Sequence, residues 1–124
     1  MALNVPRPSR FKSYGLHALL DDTAYTVYTC PPNTVAYMSL VFVSNASSSA
    51  SDVNVQWDDD DGGTPITIIG GKNLASGEFI QLSGSFLVLE PADTLKLTTS
   101  NTAGGNNPDT SIIVTVEEVF LPNG

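Results

Sequence analysis

The longest apolar run of the chain is residues 35–44, VAYMSLVFVS. Its β-branched, aromatic and aliphatic residues favour an extended strand. Strict alternation divides the large side chains between two sides, with Met38, Leu40 and Phe42 on one and Tyr37, Val41 and Val43 on the other. Because both sides are apolar, we expect both to be covered and the strand to lie in the centre of a sheet.

Shorter runs of the same kind recur on both sides of this strand, separated by clusters of Pro, Gly, Asn, Asp and Ser. In residues 52–57, DVNVQW, alternation places Trp57 on the core-facing side with Val53 and Val55. Residues 14–20 fit either a strand or one helical turn. Further strands are expected at 25–30, 65–69, 78–82, 86–89, 94–99 and 111–120. About eight strands without a helical pattern predict an all-β, antiparallel two-sheet β-sandwich that is jelly-roll-like.

The last predicted strand carries Ile112, Val114 and Val116 on one face. Two adjacent acids, Glu117 and Glu118, interrupt the apolar pattern after it. We expect them to shift the alternation, so that the residues that follow face a different neighbour.

Basic residues are concentrated at the start of the chain. Residues 1–13 contain Arg7, Arg10 and Lys12 and no acid, whereas all 13 acids and only two lysines lie in residues 14–124. We therefore divide the chain into an extended basic arm, 1–13, and one sandwich domain, 14–124. The arm is either an unattached tail or a partner-binding tether on an acidic neighbouring subunit, with nucleic acid or membrane contact as a third reading. The acidic body itself disfavours nucleic acid.

The sequence lacks the residues that several classes of function require. No run reaches membrane-spanning length, and the N-terminal residues lack the apolar core of a secretory signal, so we expect synthesis in a host cytoplasm and no membrane partner. The single cysteine, Cys30, cannot form an intrachain disulfide. With His17 as the only histidine, neither a nucleophile–base pair nor a zinc site is indicated. We expect no enzymatic activity and no cofactor.

The acidic run Asp58, Asp59, Asp60 and Asp61 is the most chemical-looking motif. Four carboxylates on one loop make it a calcium candidate, since calcium takes six to eight oxygen ligands. The EF-hand spacing fails, because Ile69 stands where the bidentate glutamate is needed. The alternative is a solvated connection between two strands.

Four segments together resemble a known protein class. They are Thr26–Pro31, Tyr37–Asn45, Ser83–Lys96 and Ile113–Val119. The order and the residue patterns of these segments resemble those of the small β-sandwich virion proteins of tailed bacteriophages, the head-decoration and tail-associated accessory proteins. The resemblance covers about residues 23–119. The chain departs from the pattern at Ala92, where a glycine is more usual before Asp93.

The resemblance implies a non-enzymatic virion protein, expected to be a capsid decoration or cement protein that stabilises the particle. Its partners would be further copies of itself, with a trimer as the expected form, and the major capsid protein or other virion subunits. The alternative is a tail, neck or fibre component, including a carbohydrate- or receptor-binding module. That alternative needs exposed aromatics, for which Tyr25, Tyr28 and Tyr37 are the candidates.

Overall fold

The computed structural model describes residues 8–60, 62–101 and 108–121. Within these residues the chain forms strands and no helix, so none of the described part offers a helix that could cross a membrane. The strands are β1 (Ser9–Ala18), β2 (Ala24–Thr29), β3 (Thr34–Asn45), β4 (Ser51–Asp58), β5 (Ile66–Leu74), β6 (Phe79–Leu89), β7 (Thr94–Asn101) and β8 (Thr110–Phe120).

The strands form two four-stranded sheets, with the orders β1-β8-β3-β6 and β2-β7-β4-β5. We call them the 1-8-3-6 sheet and the 2-7-4-5 sheet. The pairs are antiparallel and nested, since β1 pairs with β8, β2 with β7, β3 with β6 and β4 with β5. This order is that of a jelly-roll-like sandwich. The predicted all-β, two-sheet fold is confirmed.

The core lies between the inner faces of the two sheets. The 1-8-3-6 sheet contributes Met38, Val41 and Val114, and the 2-7-4-5 sheet contributes Val55 and Leu97, all without exposed surface. Each fully buried side chain of this size stabilises the fold by about 1.5–3 kcal/mol. Trp57 packs against this core, as its alternation with Val53 and Val55 predicted.

Strand β3 is central, as expected, with β8 on one side and β6 on the other. The predicted division of its side chains is wrong. A register shift between Met38 and Leu40 reverses the alternation at Ser39. Met38 therefore points into the core together with Val41 and Val43, whereas Leu40 and Phe42 join Tyr37 on the outer face.

Strand β8 continues without a shift past its two acids. Its alternation runs unbroken from Thr110 to Glu118, so Glu118 follows Val116 into the interior and Glu117 faces outwards. The expected change of alternation at these residues is wrong. A buried carboxylate is tolerated there because, as shown below, three donors surround it.

The first strand begins earlier than predicted. Residues 9–13, assigned above to the arm, lie in β1 and pair with β8. Residues 14–18 continue the same strand and form no helical turn. The predicted strands at 78–82 and 86–89 are one strand, β6, in which Gly84 takes a φ of 94° and the register with β3 shifts.

Candidate interaction surface

The outer face of the 1-8-3-6 sheet is apolar. Cross-strand partners share a face, so the register places Phe11, Glu117, Tyr37 and Val88 in one row across the four strands. Ile113 and Phe42 lie side by side in a second row. Among the side chains that the structure describes, five large apolar ones on this face are well exposed: Phe11 (72%), Phe79 (60%), Val88 (46%), Ile113 (44%) and Tyr37 (42%). We call this outer surface the apolar face.

Neighbouring side chains of the apolar face contact one another. The rings of Phe42 and Phe79 stack with centroids 5.1 Å apart and an interplanar angle of 25°. A Cβ at Gly15 would lie 3.6 Å from Cγ1 of Ile113, so that side chain leans over the glycine. Glu117 and His17 are the acidic and basic side chains that the described strands direct to this face. Charge is therefore sparse across it.

The outer face of the 2-7-4-5 sheet has the opposite character. Its outward positions include Thr98, Lys96, Asn54, Gln56 and Asp58. Several of these groups bind one another, as in the contacts of Lys96 Nζ with Asp58 Oδ2 at 3.4 Å and of Asn54 Oδ1 with the Gly71 amide at 2.8 Å. This polar face resembles an ordinary solvated surface, whereas contiguous apolar surface marks an interaction site.

A polar cluster lies between the sheets at the β1–β8 side of the sandwich. The Glu118 carboxylate, which has no exposed surface, accepts hydrogen bonds from Tyr28 Oη at 2.6 Å, Arg10 Nε at 2.7 Å and Tyr14 Oη at 3.1 Å. Tyr28 comes from the opposite sheet, and its ring contacts that of Tyr14 at a centroid distance of 5.0 Å. We call these four residues the Glu118 cluster. It joins β1, β2 and β8.

The electrostatics of the cluster follow from burial and hydrogen bonding. Burial alone would raise the pKa of Glu118, but the bonds from Tyr28, Arg10 and Tyr14 and the positive charge of Arg10 outweigh it and lower the pKa. Burial, followed by the bond to Glu118, strongly raises the pKa of Tyr28. The pKa of Tyr14 is raised by the same two causes. At neutral pH the cluster is thus an ionised carboxylate held by one cation and two neutral phenols.

The predicted arm residues have different positions. Arg10 binds Glu118 of its own domain, and its guanidinium also lies 5.6 Å from the centroid of the Phe120 ring. Lys12 places its ammonium 5.0 Å from the Tyr14 ring. Arg7 lies outside the described residues. Their role as a tether remains a prediction.

The acidic loop connects β4 to β5, as the hairpin interpretation expected. Asp58 pairs with Lys96, and the Asp60 amide donates to Oδ1 of buried Asp93 at 3.0 Å. Asp61 lies outside the described residues. Across residues 8–60, 62–101 and 108–121 no group of three or more His, Cys, Asp or Glu side chains is placed to hold a metal ion. The calcium role of Asp58, Asp59, Asp60 and Asp61 stays a prediction.

The three tyrosines proposed for a glycan platform do not lie together. Tyr28 is 3% exposed and belongs to the Glu118 cluster, so its candidacy is wrong. Tyr25 is half-buried, and its hydroxyl accepts a hydrogen bond from the Leu20 amide at 3.1 Å. Tyr37 alone of the three is well exposed, and it belongs to the apolar face.

Two features were missed by the sequence analysis: the apolar face and the Glu118 cluster. A signal for the second was present, since Ile112, Val114, Val116 and Glu118 form one unbroken alternation. The apolar face had a weaker signal, because residues 35–44 are apolar on both sides. Nothing in the residue pattern indicated which of those sides faces the core.

Comparison with known proteins gives likeness at the level of fold. No protein-family description matches the chain, and neither does any curated protein. A solved structure of Bacillus endospore appendages, described as disulfide-linked pili, superposes with a TM-score of 0.57 at 13% identity, covering 98% of this chain and 96% of that chain. A structure of infectious bursal disease virus, Gx strain, superposes with a TM-score of 0.53 at 12% identity. That alignment covers 98% of this chain but only 35% of the viral chain.

Proposed function

We propose that this protein is a structural, non-enzymatic virion subunit of a tailed bacteriophage, a capsid decoration or cement protein that acts through protein–protein contacts. The apolar face is the observation that carries the proposal. An exposed apolar sheet face with few charges is a costly surface for a soluble monomer and a suitable one for assembly. The sequence resemblance supplies the class of particle.

The contact surface follows from the contrast between the two outer faces. Packing the apolar face on a neighbouring subunit removes Ile113, Phe42 and Tyr37 from water, whereas the polar face stays solvated. An interaction that exists only in the assembled particle stabilises that state by mass action. A contact that is weak in one subunit can therefore stabilise the capsid when many subunits make it.

Noncovalent contacts are part of this proposal. The only cysteine, Cys30, is buried, with its Sγ 3.3 Å from the Thr34 carbonyl oxygen and 3.5 Å from that of Leu89. It is out of reach of a neighbouring subunit in this conformation. Disulfide linkage of the kind named for the Bacillus appendages is accordingly not part of the mechanism that we propose.

A tail, neck or fibre position would use the same surface and is the alternative. Its carbohydrate-binding form is favoured by the exposure of Tyr37. It is weakened by the burial of Tyr28, whose ring is not accessible for stacking on a glycan.

The particle assignment is tested by labelling virions of the phage that encodes the chain with gold-conjugated antibodies against it. Dense labelling over the head surface is expected. Labelling confined to the tail would favour the alternative, and unlabelled virions would reject both positions.

The contact surface is tested by adding one negative charge to each outer face. Ile113→Glu changes the apolar face, and Thr98→Glu is the matched control on the polar face. We expect Ile113→Glu to abolish incorporation into particles and Thr98→Glu to leave it unchanged. Equal incorporation of the two folded variants would show that the apolar face is not the contact.

A further inference from the structure

The first strand of the described chain is an edge strand. β1 lies at the edge of the 1-8-3-6 sheet and pairs with β8 alone, without a register shift over ten residues. No described strand precedes it. β1 can therefore leave its place on β8 without any other described element being threaded through the fold.

The apolar burial of β1 is confined to its second half, where Tyr14 and Leu16 pack partly against the core. Residues 9–13 are all exposed, and Ala18 is the one residue of the strand that is fully buried. The side-chain contacts to β8 are polar: Arg10 and Tyr14 donate to Glu118, and Ser13 Oγ lies 2.8 Å from Thr115 Oγ1. Because every copy of the chain carries the same β1, the β1 of a second copy can make the same contacts to β8.

The domain cannot do without a strand at this position. If β1 leaves, Glu118 keeps only Tyr28 of its three donors, and a buried carboxylate without its cation is strongly unfavourable. The outer edge of β8 would also lose its backbone partners along the whole of β1. A second copy carries the one strand that satisfies both requirements.

The linker between β1 and β2 supplies a hinge. Its five residues, 19–23, span at most about 17 Å when extended. Leu19 and Leu20 are each just over half exposed, and Asp22 holds a φ of 52°. Extension breaks the bonds from the Leu20 amide to Tyr25 Oη, from the Asp22 amide to the Thr99 carbonyl oxygen and from Ser100 Oγ to Asp22 Oδ1. It also releases Asp22 from its positive φ and brings the leucines of two crossing linkers together.

We infer that β1 is exchanged between copies, so that β1 of one subunit pairs with β8 of another and its Arg10 binds the second subunit's Glu118. The partner is a second copy of this chain. The exchange converts the arm predicted from the sequence into a tether that uses the contacts already described. The inference rests on the proposed assembly function and names how its subunits are joined.

A disulfide trap tests the exchange. In a Cys30→Ala background, one tagged chain carries Ser13→Cys and a differently tagged chain carries Thr115→Cys; the two are unfolded, mixed, refolded at high concentration and oxidised. A covalent heterodimer is expected, because the two side chains meet across the β1–β8 pair. Adding Leu19→Ser and Leu20→Ser should remove most of its yield.

Two controls make the result decisive. A single chain with both Ser13→Cys and Thr115→Cys, refolded at low concentration so that exchange between copies is suppressed, should close an intrachain disulfide, which establishes that the geometry permits the bond. The pair Gln56→Cys and Thr67→Cys, which face each other across β4 and β5, should form no heterodimer when placed on separate chains. If the Ser13–Thr115 pair gives no more heterodimer than this internal pair, the exchange does not occur.

The disulfide trap tests the strand exchange, and the charge-addition experiment tests the apolar face as the contact surface. Either proposal can be rejected while the other stands. If no heterodimer forms but Ile113→Glu still abolishes incorporation, the assembly function stands and strand exchange is rejected. If the heterodimer forms but Ile113→Glu incorporates normally, the exchange stands and the apolar face is rejected as the contact surface.

Discussion

The Nε atom of Arg10 donates a 2.7 Å hydrogen bond to Oε1 of Glu118, and so joins a half-exposed guanidinium to a carboxylate without exposed surface. The other oxygen of that carboxylate accepts from Tyr28, which stands in the opposite sheet. One side chain therefore ties the edge strand to its neighbour and also ties the two sheets together. Buried carboxylates are tolerated when donors surround them in this way.

We expect Glu118→Gln to lower the free energy of unfolding at pH 7 by about 2 kcal/mol, because it replaces charge-assisted bonds by neutral ones. The folded state lowers the pKa of Glu118 below its ordinary value of 4.5. Its stabilising contribution is thus present above pH 4.5 and is lost as the pH falls through the folded pKa. Urea unfolding at pH 7 and pH 3 measures the free energy of unfolding of both proteins. The difference between wild type and Glu118→Gln should be smaller at pH 3 than at pH 7.

Glu117→Gln is the matched control, since it removes an adjacent carboxylate from the outer face. We expect it to change the free energy of unfolding by less than about 0.5 kcal/mol at pH 7. If Glu118→Gln lowers the free energy of unfolding by the same amount at both pH values, the proposed charge-assisted attachment is contradicted.

We expect the buried thiol of Cys30 to lower the free energy of unfolding at alkaline pH. Burial, the largest cause, raises the pKa of its thiol from 9.0 to about 11. The folded state therefore disfavours the thiolate, so the stability is fully present below pH 9 and falls as the pH rises from 9 towards 11. Between pH 8 and pH 10.5 the wild type should lose about 2 kcal/mol more than Cys30→Ala, which retains the titrating tyrosines.

The thiol itself supplies an independent measurement. Because it is buried, native Cys30 should react with Ellman's reagent only at the rate at which the protein opens, whereas the urea-unfolded chain should react at once. Rapid reaction of the native protein, or parallel pH curves for wild type and Cys30→Ala, would show that the thiol is accessible.

The residue pattern was sufficient for some elements and insufficient for others. β3 was identified as central and Trp57 as core-facing, because alternation and composition are local properties. The division of the β3 side chains between its two faces was predicted wrongly, since the shift after Met38 depends on pairing with β6 and β8. The partner of Arg10 could not be predicted, because Glu118 lies 108 positions away and only the β1–β8 register brings the two together.

Ala92 stands in the turn between β6 and β7 with a φ of 73°, where the phage-like pattern more often has glycine. An alanine Cβ is strained in this region, and glycine is not. We expect Ala92→Gly to raise the free energy of unfolding by up to about 1 kcal/mol, less the entropy that glycine adds to the unfolded chain. Ala75→Gly, in an exposed turn without a positive φ, is the control and should lower it by about 0.5–1 kcal/mol. Thermal denaturation of both variants measures the difference, and equal losses would show that Ala92 is unstrained.

Thr99 is fully buried, and its hydroxyl has no hydrogen-bond partner among the described residues. Valine has nearly the same shape and no polar atom to desolvate, so Thr99→Val should raise the free energy of unfolding by about 1 kcal/mol. Thr34 is the matched control, because it is equally buried but its hydroxyl donates to the Pro32 carbonyl oxygen at 3.0 Å. Thr34→Val should lower the free energy of unfolding by about 1 kcal/mol. Urea titrations of the two variants should therefore shift in opposite directions, and a shared direction would mean that hydrogen bonding does not distinguish these two hydroxyls.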